Sequence, residues 1–183
     1  MAEATTGVST WSIDKAHSSI EFAVKHMVFS TAKGRFGEFS GEIVLDEANL
    51  ANSSVSVTID AASIDTRDEG RNGHLKSADF FDVENFPTLT FVSTSIAPKG
   101  GDEFEITGDL TIRGVTQSVV LKAEKTGQGV NPWGVPVVGF SATTKLSRKD
   151  FGLEWNAALE TGGFLVGDEI KISLEVEANP AQA

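Results

Sequence analysis

The chain has 183 residues, 40% of them hydrophobic and 22% charged, and 26 Asp and Glu against 15 Lys and Arg leave a net charge of −11. These values suit one ordinary globular domain, and they count against nucleic acid or an anionic membrane as partner, because phosphate contacts need clustered Lys and Arg. Cysteine is absent, which excludes disulfides, thiolate nucleophiles and Cys-ligated metals.

The opening MAEATTGVST has neither the basic nor the apolar stretch of a signal peptide. No apolar run nears the roughly 18 residues of a transmembrane helix. A cytoplasmic product is expected, or a periplasmic or extracellular one if an export signal has been cut away. Residues 1–10 read as a flexible tail, 11–178 as a single domain and 179–183 as a second tail.

Within the domain, period-two alternation dominates, the mark of half-buried strands. Over 19–25, Ile20, Phe22 and Val24 share one side. Over 35–45, Phe36, Phe39, Ile43 and Leu45 alternate less regularly, and Gly37 and Gly41 predict a bulge or sharp bend. A polar turn at 46–53 leads to 54–60, with Val55, Val57 and Ile59 in phase. The longest break is 61–87. Asn72 is expected to cap a short helix over about 73–80, and Phe86, held extended by Pro87, leads into a strand at 88–95.

Gly100-Gly101 turns the chain into 103–112, and Arg113-Gly114 reads as a tight hairpin. Val119, Leu121 and Ala123 mark the next strand; Val138, Phe140 and Ala142, leading to Leu146, mark another. An irregular zone at 149–167 carries Phe151, Trp155, Leu159 and Phe164, and 169–176 is the last strand. Eight strands without helical crossovers predict an all-β, antiparallel, up-and-down barrel with one or two short helices at its end.

No catalytic motif emerges. His17 and His26, nine apart, would face opposite sides of a continuous strand, so neither a metal nor a cofactor is expected. Ser141 falls mid-strand and lacks the nucleophile-elbow glycines. Asp65, Asp68 and Glu69 sit among Arg67 and Arg71, where a solvated charge cluster is the simpler reading than an acid–base pair. Twelve Phe accompany no Tyr. A hydrocarbon-lined cavity favours that choice, because a buried Tyr hydroxyl needs a partner; chance or genome composition produces it too.

Several blocks resemble the YceI-like family. They are Asp14-Lys15-Ala16-His17-Ser18 with Phe22 and His26; Gly34-Arg35-Phe36; Ser63-Ile64-Asp65-Thr66 with Arg71; His74 to Asp82 with Phe86-Pro87; Gly108 to Thr116; and Arg148 to Gly152. The resemblance implies an extended, lipocalin-like eight-stranded barrel. It also implies non-catalytic binding, transport or sequestration of a long isoprenoid lipid, such as a polyprenyl diphosphate or a prenylated quinone. An enzyme acting on such a lipid, with Asp65, Asp68 or His74 as acid or base, and a stress-related structural barrel without ligand are the alternatives, and a homodimer is left open. On this reading Ile20, Phe22, Val24, Phe36, Phe39, Phe80, Phe81, Phe91, Phe104, Trp133, Phe140, Trp155 and Phe164 line or cover the cavity. Asp14, His17, Asp65, Arg71 and His74 form a head-group site or structural polar cluster. Arg71, Lys76 and Arg148 are the cations available to an anionic head group. The family usually has an acid directly after the arginine of its central block, where this chain has Asn72.

Overall fold

The computed structural model describes residues 7–182. In chain order it contains β1 (Val8–Ile13), β2 (Ser19–His26), β3 (Ser30–Phe36), β4 (Phe39–Asp46), β5 (Ser54–Asp60), β6 (Ile64–Asp65), α1 (Glu69–Lys76), β7 (Thr88–Gly100), β8 (Glu103–Ile112), β9 (Val115–Val130), β10 (Pro136–Ser147) and β11 (Val166–Pro180). Three pairs of these segments are single barrel strands broken once. β2 pairs with β3 and β1 with β4; β4 pairs with β5 and β3 with β6. Counted so, eight antiparallel strands follow one another around a closed barrel, and β11 returns to pair with both β1 and β2. The predicted up-and-down barrel is the fold observed.

The three breaks stand side by side. The Asp60 N–H donates to Glu38 O at 2.9 Å and the Gly37 N–H to Ser63 O at 3.2 Å. Lys15 Nζ donates to Glu38 Oε2 at 2.6 Å. The wall therefore bends across three neighbouring strands together, as local breaks in a ladder allow. The bend foreseen at Gly37 is one of them. Gly41 stays in β4, where an added Cβ would lie 2.5 Å from Ile13 Cδ1.

Two segments escaped the period-two reading for a packing reason. β3 presents Ala32, Gly34 and Phe36 inward, so its alternation carries almost no hydrophobic signal. Gly34 pairs directly with Phe22, and a Cβ there would lie 2.3 Å from that ring. β1 alternates half-buried with exposed residues and buries none fully. The strands also outrun the expected domain limits: Val8 to Thr10 belong to β1, and Asn179 and Pro180 to β11. The remaining tail residues 1–6 and 183 lie outside the described residues.

At one barrel end lie the hairpin 27–29, the segment 66–87, the Arg113-Gly114 turn and the connection 148–165; at the other lie the turns at 47–53, 101–102 and 131–135. Arg113 and Gly114 both have positive φ, +50° and +72°, as a two-residue hairpin turn matched to strand twist requires. At 47–53 the Asp46 carboxylate organises the turn. It accepts from the N–H groups of Asn49 and Ala48 at 3.0 and 3.1 Å and from Asn52 Nδ2 at 3.1 Å. Those bonds, Asn49's foremost, hold its pKa below the usual carboxylate value. A depressed folded pKa gives stability that is present above the unfolded value and lost as pH falls through the folded one. The Tm gap between the wild type and Asp46→Asn is therefore expected to be constant from pH 7 to 5 and to shrink below about pH 4, read from melts across that range.

Candidate ligand-binding cavity

The inward side chains leave an apolar cavity of about 260 Å³. Its wall takes residues from every barrel strand, from Leu45 and Leu50 at the turn end to Phe80 and Phe81 at the other. Ile20, Phe22, Val24, Phe36, Phe39, Phe91, Phe104 and Phe140 all border it. Their rings meet in tilted or edge-on pairs: Phe22 with Phe36 at 5.8 Å, Phe36 with Phe81 at 5.8 Å, and Phe104 with Phe140 at 6.1 Å. Edge-on contact satisfies the ring quadrupoles without flat stacking, so the rings stand off one another. Ala123 and Ala142, paired directly across β9 and β10, are the shallow part of the wall; sequence reasoning placed them in strands but not at the site.

The cap is built by the segment 66–87. α1 starts at Glu69, capped by Asp68, whose carboxylate accepts from the Arg71 N–H at 2.8 Å. This corrects the expected Asn72 cap and the start at residue 73. Asn72 instead reaches back from inside the helix. Its Oδ1 accepts from both the N–H and the hydroxyl of Thr66, at 2.8 and 2.6 Å, and its Nδ2 donates to Asp65 Oδ1 at 3.3 Å. Arg71 donates to Thr66 Oγ1 and to Thr66 O at 2.9 and 2.6 Å. Leu75, Phe80 and Phe81 then face the cavity. Arg113 Nη1 donates to Phe80 O at 3.0 Å, and the Phe86 ring lies against Gly114, so the cap is tied to the β8–β9 turn.

An acid at position 72 could accept from Thr66 but could not donate to Asp65. Asn72→Asp should therefore lower the Tm at pH 7 and regain much of the loss near pH 4, where the new carboxylate pair takes up a proton; parallel melting curves at the two pH values read this directly.

The five polar residues grouped by sequence reasoning do not form one cluster. At the foot of the cap Arg71 bonds to Thr66 and Asp65 accepts from Asn72, and Thr66 and Asn72 bond to each other. Bonds from the Arg67 N–H and Asn72 keep the Asp65 carboxyl below its usual range. Asp14 and His17 pair at 2.8 Å where β1 breaks from β2. That bond lowers the Asp14 pKa and raises that of His17. His74, near the end of α1 rather than at its start, faces Asp79 Oδ2 at 2.8 Å through Nε2. Its ring stands edge-on between Trp155, at 4.5 Å, and Phe80, at 5.1 Å. Trp155 thus packs one layer behind the cavity. None of Asp65, Asp68 or His74 borders it.

Besides Trp155, two more expected lining residues lie off the cavity. Trp133 is 82% exposed, because Asn131 Oδ1 accepts from the N–H groups of Trp133 and Val135 and holds the β9–β10 turn tight with the indole outside. Phe164 is 61% exposed in the connection before β11. Arg148 is nearly fully buried beside the cavity, yet its N–H groups are already taken. Nε donates to Gly167 O at 2.8 Å, and Nη1 to Leu153 O and Trp155 O at 2.6 and 2.9 Å. Nη2 lies 3.4 Å from Val166 O and 3.6 Å from Asp168 Oδ1. Desolvation pushes its pKa down against the pull of Asp168. It fastens the connection 148–165 and leaves no donor aimed at a head group.

The model of the YceI-like domain matches residues 11–178. The chain belongs to the YceI-like family. Among its YceI-like relatives is a UPF0312 protein of Vibrio cholerae, 46% identical over 139 residues, which are 76% of this chain and 74% of the relative. BcnA of Burkholderia cenocepacia is similar in structure, with a TM-score of 0.80 and 30% identity over 90% of this chain and 98% of that one. A polyisoprenoid binding domain from Saccharophagus degradans shares the YceI-like fold at a TM-score of 0.67 and 15% identity, over 93% of this chain and 98% of its own.

Proposed function

We propose that this YceI-like barrel is a non-catalytic binder that shelters the tail of a long isoprenoid lipid, a polyprenyl diphosphate or a prenylated quinone. The observation that carries the reading is the apolar cavity of about 260 Å³ bordered by all eight strands. A filled structural barrel would leave no such space, and the acids and base a lipid-modifying enzyme was expected to use, Asp65, Asp68 and His74, do not border it, the charged residues at its wall being Glu21 and Arg148. The shared fold of the Saccharophagus degradans polyisoprenoid binding domain supports the same ligand class.

Magnitudes set the form of the complex. An apolar cavity of about 150 Å³ holds one benzene, so 260 Å³ suits a chain of roughly ten carbons with the side chains as they stand. Association costs on the order of 4–15 kcal/mol against about 0.8 kcal/mol per buried methylene. Micromolar affinity from apolar contact therefore needs roughly 20 carbons. A tail of that length must turn the edge-on rings aside or run on beneath the cap. A charged head group stays in water, since Arg148 has no free donor and an unpaired buried charge is prohibitive.

Native mass spectrometry of protein purified from its own host, followed by titration with a prenyl lipid that quenches the fluorescence of the three tryptophans, tests the reading. A co-purifying hydrocarbon of prenyl mass and saturable quenching are expected. An empty protein that leaves its fluorescence unchanged up to the solubility limit of the lipid refutes it.

A further inference from the structure

The outer face of the barrel carries a second constellation, unrelated to the cavity. Where β1 gives way to β2 the chain turns through Lys15–His17. Asp14 caps the turn: its Oδ1 accepts from the Ala16 N–H at 3.0 Å and its Oδ2 faces His17 Nδ1 at 2.8 Å. Glu177 arrives on β11 from the far end of the chain. Its backbone is fixed to the same turn, with Ser18 Oγ donating to Glu177 O at 3.2 Å, the Glu177 N–H donating to Ser18 Oγ at 3.0 Å and the Asp14 N–H donating to Glu177 O at 2.8 Å. Among the described residues, one potential ligand atom each from Asp14, His17 and Glu177 lies within 4.8 Å of the others.

Asn179 adds an independent observation. It follows Glu177 by two along β11, on the same face. Its Nδ2 sits 3.5 Å from Asp14 Oδ2, a marginal bond, while its Oδ1 is buried and has no hydrogen-bond partner. As it stands the amide turns its nitrogen to Asp14; a half-turn would exchange the two and set the unpartnered oxygen beside Asp14, where a bound cation would satisfy both acceptors.

We propose that Asp14, His17 and Glu177 form a binding site for a divalent first-row transition metal of the zinc type, with Asn179 Oδ1 as a further oxygen. The ligand set decides the class: one imidazole with carboxylates suits zinc, nickel or manganese, whereas magnesium and calcium take oxygen alone. The spacing fits. Metal–ligand bonds of about 2.1 Å put neighbouring ligand atoms roughly 3.0 Å apart in an octahedron and 3.4 Å in a tetrahedron; Asp14 Oδ2 and His17 Nδ1, hydrogen-bonded at 2.8 Å, need to part by only a few tenths of an ångström for a metal to replace the proton they share. Glu177 has to close the remaining distance by side-chain rotation, since its backbone is pinned.

The site lies on the seam where the barrel closes. β1 and β11 are in register over three residue pairs only, Trp11 with Pro180, Ser12 with Asn179 and Ile13 with Ala178. A metal held by Asp14 and His17 on one side and Glu177 on the other cross-links strands from opposite ends of the chain, so its binding stabilises the closed barrel. The sequence grouped Asp14 and His17 among polar residues with no metal expected, and nothing local marks Glu177.

The test is calorimetric titration of the chelator-stripped protein with zinc chloride, together with thermal melts. One equivalent should bind, and a hundredfold excess of zinc over Kd should raise the Tm by roughly 5–10 °C. Glu177→Gln and His17→Gln should each weaken binding at least tenfold, and His26→Gln should leave it unchanged. Glu177→Gln keeps every backbone bond to Ser18, so it folds if the wild type does, and its metal-free melt verifies this. Zinc that leaves the Tm unmoved, or that binds Glu177→Gln as tightly as the wild type, overturns the proposal.

Discussion

Ala142→Phe should lower the affinity for a twenty-carbon prenyl probe about a hundredfold while the barrel stays folded. Ala142 faces Ala123 across the β9–β10 ladder at the shallow part of the wall. A phenyl group there projects into the cavity and displaces roughly four methylenes of ligand. At about 0.8 kcal/mol each that is ~3 kcal/mol, two decades of Kd. The same space absorbs the new ring, so the cost to stability is at most the ~1–3 kcal/mol of overpacking, within the reserve of a typical domain. Fluorescence titration and a melting curve of the one variant separate the two effects. Unchanged affinity with an intact fold would mean that the probe binds outside the barrel.

Arg148→Ala is expected to give the largest loss of stability, about 3–5 kcal/mol, or roughly 10 °C in Tm. The guanidinium is nearly fully buried and serves four backbone carbonyls, those of Leu153, Trp155, Val166 and Gly167. Its removal leaves these acceptors without their donor, and buried unsatisfied groups are costly. Arg148→Lys should recover little, because a single ammonium cannot span carbonyls that a planar fork reaches from two sides. Equilibrium urea denaturation of both variants checks this. If the lysine restores wild-type stability, the carbonyl network is not what holds the connection 148–165 in place.

The barrel could be read from the sequence because its strong strands alternate Phe, Ile, Leu and Val with polar residues, a pattern that survives without tertiary information. It faded where tertiary packing supplies what the local residue lacks. Gly34 is inward only because Phe22 covers it, so β3 reads as a polar stretch. The Phe and Ile residues at the cavity followed from the same alternation that revealed the strands. Of the loop aromatics expected there, Phe80 and Phe81 reach it and three others do not. Trp133, Trp155 and Phe164 have no period to fix their direction, and a single side-chain bond, such as that of Asn131 to the turn, sends Trp133 outward. The polar cluster divided for a related reason: the family blocks show which polar residues occur together, but their separation depends on where strands break. Asn72 illustrates this. It resembles a helix cap by residue type, yet Asp68 lies nearer the helix start and takes that role.

The pairing of β1 with β11 brings the two ends of the barrel strands to one place, Trp11 lying opposite Pro180. A few residues of linker would bridge Val8 and Pro180, and the chain could then be opened between Gly101 and Asp102, outside every ladder. Such a circular permutant would exchange the long-range closure for a local hairpin and convert the β7–β8 hairpin into the late, distant contact. The order of assembly would change, with the final architecture preserved.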